Sequence, residues 1–135
     1  MNKHIAKFNG TTFTRNSKDR TYTHVIVVRE SYEYALEMAK KESRYDRENY
    51  NRYMITGAEL DNYGDQVAGL TEDEYVAQKI AKKVAAVEAA KARGDFDSYG
   101  QVGWCGRPDL AQKKLSSESG KPHWAEVHAV EVTIL

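Results

Sequence analysis

The stretch Arg20-Thr21-Tyr22-Thr23-His24-Val25-Ile26-Val27-Val28 decides the fold. β-Branched and aromatic side chains dominate it, a composition that fits a pleated surface. Its second half is continuously apolar, which predicts a strand covered on both faces. Just upstream, Thr11-Thr12-Phe13-Thr14-Arg15 is another Thr/aromatic run, and Asn16-Ser17-Lys18-Asp19 between the two is a cluster of turn formers. The pattern predicts a β-hairpin with a four-residue connection, pairing Phe13 with Tyr22 across the strands. Asn9-Gly10 permits a further tight turn before the first strand. At the other end of the chain, His128, Val130, Val132 and Ile134 alternate with Ala129, Glu131 and Thr133. That period of two predicts a strand, expected to lie antiparallel beside residues 21–28.

Between these strands the signals are helical. Ser31 is a candidate N-cap, followed by an apolar stripe of Tyr34, Ala35, Met38 and Ala39. The helix is expected to continue through the polar stretch to Tyr53, with Met54-Ile55-Thr56 as a short strand and residues 57–69 as a loop. Thr71 and Glu74 have capping-box spacing. Acids crowd the turn that follows, Lys91 and Arg93 stand at the far end, and Gly94 is a stop signal. Val76, Ile80, Val84 and Val87 form the seam of this long helix, whose Lys79, Lys82 and Lys83 are expected to face water. Arg107-Pro108-Asp109 opens a third, short helix with Leu110, Ala111 and Leu115 inward. The expected architecture is a single α+β domain over residues 1–135. A small antiparallel sheet, made of the N-terminal hairpin and the C-terminal strand, packs with two longer helices and one short one.

The chain has 135 residues, with 20 Lys+Arg against 20 Asp+Glu. Neutrality hides segregation. Residues 1–30 carry six bases and two acids, residues 54–76 carry six acids and no base, and residues 77–94 carry five bases and one acid. Such blocks either pair in the fold or form separate binding faces. No run of about 18 apolar residues exists, so no membrane span is expected. The opening MNKHIAKFNG lacks the apolar region of a secretory signal, which points to a cytoplasmic protein.

No motif assigns an activity. Nucleotide-binding glycine loops and the Gly-x-Ser-x-Gly elbow are absent. Cys105, between Gly103-Trp104 and Gly106 and ahead of a helix start, is a candidate nucleophile, with His24, His123 or His128 as possible bases. The commoner role of such a cysteine is a small buried hydrophobe. The His and Asp residues lack metal-ligand spacing, so neither metal nor cofactor is expected. Two groups have the chemistry of binding surfaces. Tyr45, Arg47, Tyr50, Arg52 and Tyr53 interleave aromatic rings with guanidinium groups, and Arg15, Lys18 and Arg20 cluster at the hairpin. Such groups serve protein hot spots or nucleic-acid contacts equally well, or simply pack and pair. The long helix is also a candidate homodimer edge.

Thr14-Arg15-Asn16-Ser17, Arg20-Thr21-Tyr22-Thr23-His24, the run from Gly103 through Cys105 to Ala111, and Trp124-Ala125-Glu126-Val127 together resemble small accessory proteins of tailed bacteriophages. The resemblance implies a bacterial host cytoplasm and non-enzymatic binding to a host protein, such as a defence-system component. It carries no site residues with it. The residues themselves leave open a nucleic-acid-binding protein using the basic hairpin and the Arg/Tyr helix, and a Cys105-dependent enzyme.

Overall fold

The computed structural model describes residues 1–135. The chain runs β1 (Asn2–Phe8), β2 (Thr11–Ser17), β3 (His24–Glu30), α1 (Tyr32–Ala39), α2 (Asp46–Thr56), α3 (Glu72–Ala92), a 3-10 turn (Asp95–Asp97), β4 (Gly100–Cys105), α4 (Pro108–Ser119), β5 (Trp124–Glu131) and β6 (Thr133–Ile134). The fold class is α+β. Two compact units divide it: Met1–Tyr34 with Gly94–Leu135, and Ala35–Arg93.

In the first unit, β3 is the central strand of a β4-β3-β5 sheet, antiparallel on both sides. Val25 to Val28 are all buried, as a continuous apolar run requires. Val25 and Val27 face a second sheet, packing with Ala6 and Phe13. Ile26 faces the other way, onto Cys105, Ala111 and Leu115, so α4 closes that side. Leu110, expected inward on α4, is 41% exposed. The C-terminal strand lies beside β3 as expected, with Val130 opposite Val25 and Val127 opposite Val28.

The hairpin differs from the sequence expectation. β2 pairs with β1, from Asn2 opposite Ser17 to Phe8 opposite Thr11, in a sheet ordered β2-β1-β6. The turn is therefore Asn9-Gly10, with both residues at positive φ, 48° and 82°. An Asn-Gly pair is the strongest two-residue hairpin signal, and it prevails over the longer polar break at 16–19. Tyr22 does not pair with Phe13. It lies in the connection to β3, with ring contacts to His4 at 5.0 Å and Trp104 at 6.0 Å.

Two carboxylates, Glu118 buried and Glu126 partly buried, tie this unit together. Glu118 accepts from Lys121 Nζ at 2.9 Å and Trp124 Nε1 at 2.7 Å, with Lys114 at 3.2 Å. Glu126, partly buried, accepts from Arg29 Nε at 2.5 Å and the Tyr99 hydroxyl at 2.9 Å, with His128 Nε2 at 3.0 Å. These donors hold both carboxyls down at about 2, led by Lys121 for Glu118 and by Arg29 for Glu126.

The second unit is helical. Helix α1 does not run on to Tyr53. It ends at Ala39, because the residues after it carry no apolar stripe to bury. Helix α2 then starts afresh at Asp46, and Met54-Ile55-Thr56 form its last turn instead of a strand. Gly57, at φ 69°, closes it through its N–H to the Met54 carbonyl. Helix α3 has the predicted capping box: Glu74 N–H donates to Thr71 Oγ1 at 3.1 Å, and Thr71 N–H to Glu74 Oε1 at 3.0 Å. Helices α2 and α3 pack on each other, and the core between them is Tyr50, Val67 and Tyr75 with Tyr53 beside it.

Candidate functional site

Residues 57–69, which read as plain loop, organise the second unit. Asp61 has a fully buried side chain. Its Oδ1 accepts from the backbone N–H groups of Tyr63 and Asp65, each at 2.9 Å. Its Oδ2 accepts from the Tyr75 hydroxyl at 2.9 Å and pairs with Lys79. Lys79 also holds Asp65 at 2.6 Å, and Lys82 bonds Asp65 at 3.1 Å. The Lys79 ammonium sits over the rings of Tyr63 and Tyr75, 5.1 and 5.4 Å from their centroids. Burial alone would raise the Asp61 carboxyl, but Lys79 and the three other donors outweigh it and hold it down at about 2. Burial and the bond to Asp61 push the Tyr75 hydroxyl up to about 12. The expectation of water-facing lysines is corrected for Lys79, whose side chain is only 14% exposed, and holds for Lys82, which stays exposed while bonding Asp65. Lys83 likewise donates to the Lys41 carbonyl at 2.7 Å.

A hollow of about 330 Å³ opens beside this network, lined by Asp46, Asn49, Tyr53, Tyr63, Asp65 and Lys82 among others. Asp65, Lys79 and Lys82 in its lining already bond one another, and Asp46 and Lys83 add charges of opposite sign, so it offers no concentrated field of one sign to a ligand.

The five Tyr/Arg candidates on α2 separate into three environments. Arg47 is engaged on three carboxylates, Glu42 at 2.6 Å, Asp73 at 2.8 Å and Glu72 at 3.3 Å. Tyr50 is buried, its hydroxyl donating to the Leu70 carbonyl at 2.6 Å. Tyr53 is half-buried, its hydroxyl accepting from Asn62 N–H at 3.1 Å. Tyr45, at the start of α2, is 55% exposed beneath the Arg44 guanidinium. Arg52 is exposed and makes no ion pair.

Helical periodicity explains the division. Asp46, Asn49, Tyr50 and Tyr53 lie on one face, and Glu48, Asn51, Arg52 and Ile55 on the opposite one. All four of the second set are exposed, Ile55 at 87%. Met54 at 48% stands beside them. The strand expected at Met54-Ile55-Thr56 hides the helical phase of Ile55. Had the helix been carried to Gly57, the same spacing would have shown it opposite the buried tyrosines.

In the first unit, Arg15 lies over the Tyr22 ring at 5.0 Å, and Lys18 and Arg20 are exposed with Asp19 between them. Cys105 ends β4 and belongs to the core with Ile26 and Ala111. Burial pushes its thiol up, against the smaller pull of Lys114. His24 stands opposite it in the ladder, but the His24 ring Nδ1 contacts Thr23 Oγ1 at 2.9 Å and makes no hydrogen bond to the thiol. An activated thiolate needs the reverse environment. Native Cys105 is expected to react with iodoacetamide at neutral pH at least about tenfold more slowly than in denaturant, read by mass spectrometry. Equal rates would show the thiol to be accessible and reactive.

No three His, Cys, Asp or Glu side chains converge as a metal-ion site. No helix is long and apolar enough to cross a membrane. No protein-family model, curated protein or solved structure matches the chain.

Proposed function

We propose that this is a small non-enzymatic binding protein whose second unit docks on another protein through the outer face of α2. The observation that carries the reading is Ile55, 87% exposed on a face it shares with Arg52. An apolar anchor beside an unpaired arginine is the residue mixture of an interface hot spot. Tyr45 and Met54 are exposed near the same surface, while Tyr50 and Tyr53 pack beneath α2 and Arg47 ties it to Glu42, Glu72 and Asp73. The resemblance to tailed-phage accessory proteins makes a host protein in the bacterial cytoplasm the proposed partner, a defence-system component among the candidates.

The test is capture from bacterial lysate, identification of the bound protein, and reconstitution from purified components. Ile55→Asp with Arg52→Ala is expected to weaken the reconstituted complex at least about tenfold while leaving thermal unfolding in place. Undiminished binding by that variant removes the site. Tyr50→Ala is unsuitable as a probe because it empties a core position.

A further inference from the structure

The two basic blocks of the chain meet different fates. On α3, Lys79 and Lys82 pair with Asp61 and Asp65. In the first 18 residues there is no acid at all, and Lys3, Lys7 and Lys18 make no ion pair. The β1–β2 register places these free cations. His4, Ala6, Phe13 and Arg15 point inward, His4, Ala6 and Phe13 being buried. The opposite face therefore carries Lys3, Ile5 and Lys7 on β1, directly across from Asn16, Thr14 and Thr12 on β2. All but Ile5 are exposed, and no element covers this outer face within the unit.

We propose that the outer face of the β1–β2 ribbon binds double-stranded DNA, with Lys3 and Lys7 on phosphates and Thr12, Thr14 and Asn16 toward the base edges. Charge complementarity is the first argument. The face holds two unpaired ammonium groups, Lys18 and Arg20 continue beyond the end of β2, and Glu131 and Asp19 are the acids at its margins. Geometry is the second. Lys3 and Lys7 are four residues apart on one strand, about 14 Å at about 3.4 Å per residue. The major groove is about 12 Å wide, so side chains at that spacing reach phosphates on its two rims. Across from them on β2 stand the Asn16 amide and the Thr12 and Thr14 hydroxyls, which pair with base edges, and threonine methyl groups that suit thymine. Chemistry decides between nucleic acids. The face bears no aromatic ring, and a single-strand site relies on rings for base stacking.

The experiment is fluorescence anisotropy with a mixed-sequence duplex of about 20 base pairs, the same length of single strand, and vesicles containing phosphatidylserine. Expected is preferential duplex binding, with a log–log salt slope of about −2 to −4. Lys3→Ala with Lys7→Ala is expected to lower affinity at least about tenfold and the slope by about 2, since each phosphate contact contributes about one. Both side chains are exposed, so unchanged circular dichroism and thermal midpoint identify the loss as one of contact. Absence of duplex binding at about 50 mM salt, or wild-type affinity in the double-lysine variant, overturns the proposal. Preference for the single strand or for the vesicles overturns it as well. None of these outcomes bears on α2, whose residues the variants leave untouched.

Discussion

Replacing Lys79 with methionine is expected to destabilise the second unit by about 3 kcal/mol. Methionine keeps the unbranched apolar stem and removes the terminal ammonium with its charge. The Asp61 carboxylate, fully buried, would then keep only neutral donors: Tyr75, Tyr63 N–H and Asp65 N–H. Removing one partner of a buried pair is costly because the other charge remains out of water. The rings of Tyr63 and Tyr75 would also lose the cation held against them. Asp61→Asn alone should cost less, because Lys79 retains Asp65 at 2.6 Å. The double variant should lose less than the two single losses combined, since each change removes the charge that the other strands. Urea unfolding followed by far-UV circular dichroism measures this, because α2 and α3 lie in the second unit. Trp104 and Trp124 both lie in the first unit, so their fluorescence serves as the internal reference. A Lys79→Met midpoint equal to that of the wild type would show the network to be ornamental.

Acid should unfold the protein over an identifiable window. Asp61, Glu118 and Glu126 are each held at about 2, against ordinary values of 3.8 for the first and 4.5 for the others. Each folded-state value lies below its unfolded one, so the unfolded chain takes up protons first. The stabilisation is complete above about pH 4.5 and is lost as pH falls toward about 2. A depression of this size is worth on the order of 2 kcal/mol for the fully buried Asp61, and the two glutamates bring the total to several kcal/mol. Urea midpoints measured at neutral pH and at successive steps below pH 4.5 are expected to fall steeply by both signals. Glu118→Gln should flatten the tryptophan-monitored dependence and leave the dichroism-monitored one steep, because Asp61 lies in the other unit. Midpoints independent of pH across the window would contradict the role given to these carboxylates.

What was legible in the chain follows from the range of the interactions concerned. The capping box of Thr71 and Glu74 closes over three residues, and it stands where it was expected. The burial of Val25 to Val28 follows from an apolar run that no solvated face tolerates. By contrast, a period of two states that β2 is a strand without naming its neighbour. Asn9-Gly10 determined that neighbour, through positive φ at both positions. On α2, Tyr and Arg look alike in composition wherever they stand. Only the position of Gly57 shows the phase that buries Tyr50 and exposes Ile55.

Net neutrality, as a property of composition, left the charge blocks undecided between mutual pairing and outward faces. The fold divides them. Acids 61 and 65 meet Lys79 and Lys82 because the loop is folded back on α3, bridging at least 14 residues of chain. The β1–β2 cations meet no acid because their strands hold none. Local signals, which act over a few bonds or one helical turn, are written in the sequence alone: the capping box of α3 and the depth of β3. Strand partners beyond a hairpin, buried ion pairs and the identity of the free charges depend on which distant segments come within a few ångströms, and only the tertiary structure decides that.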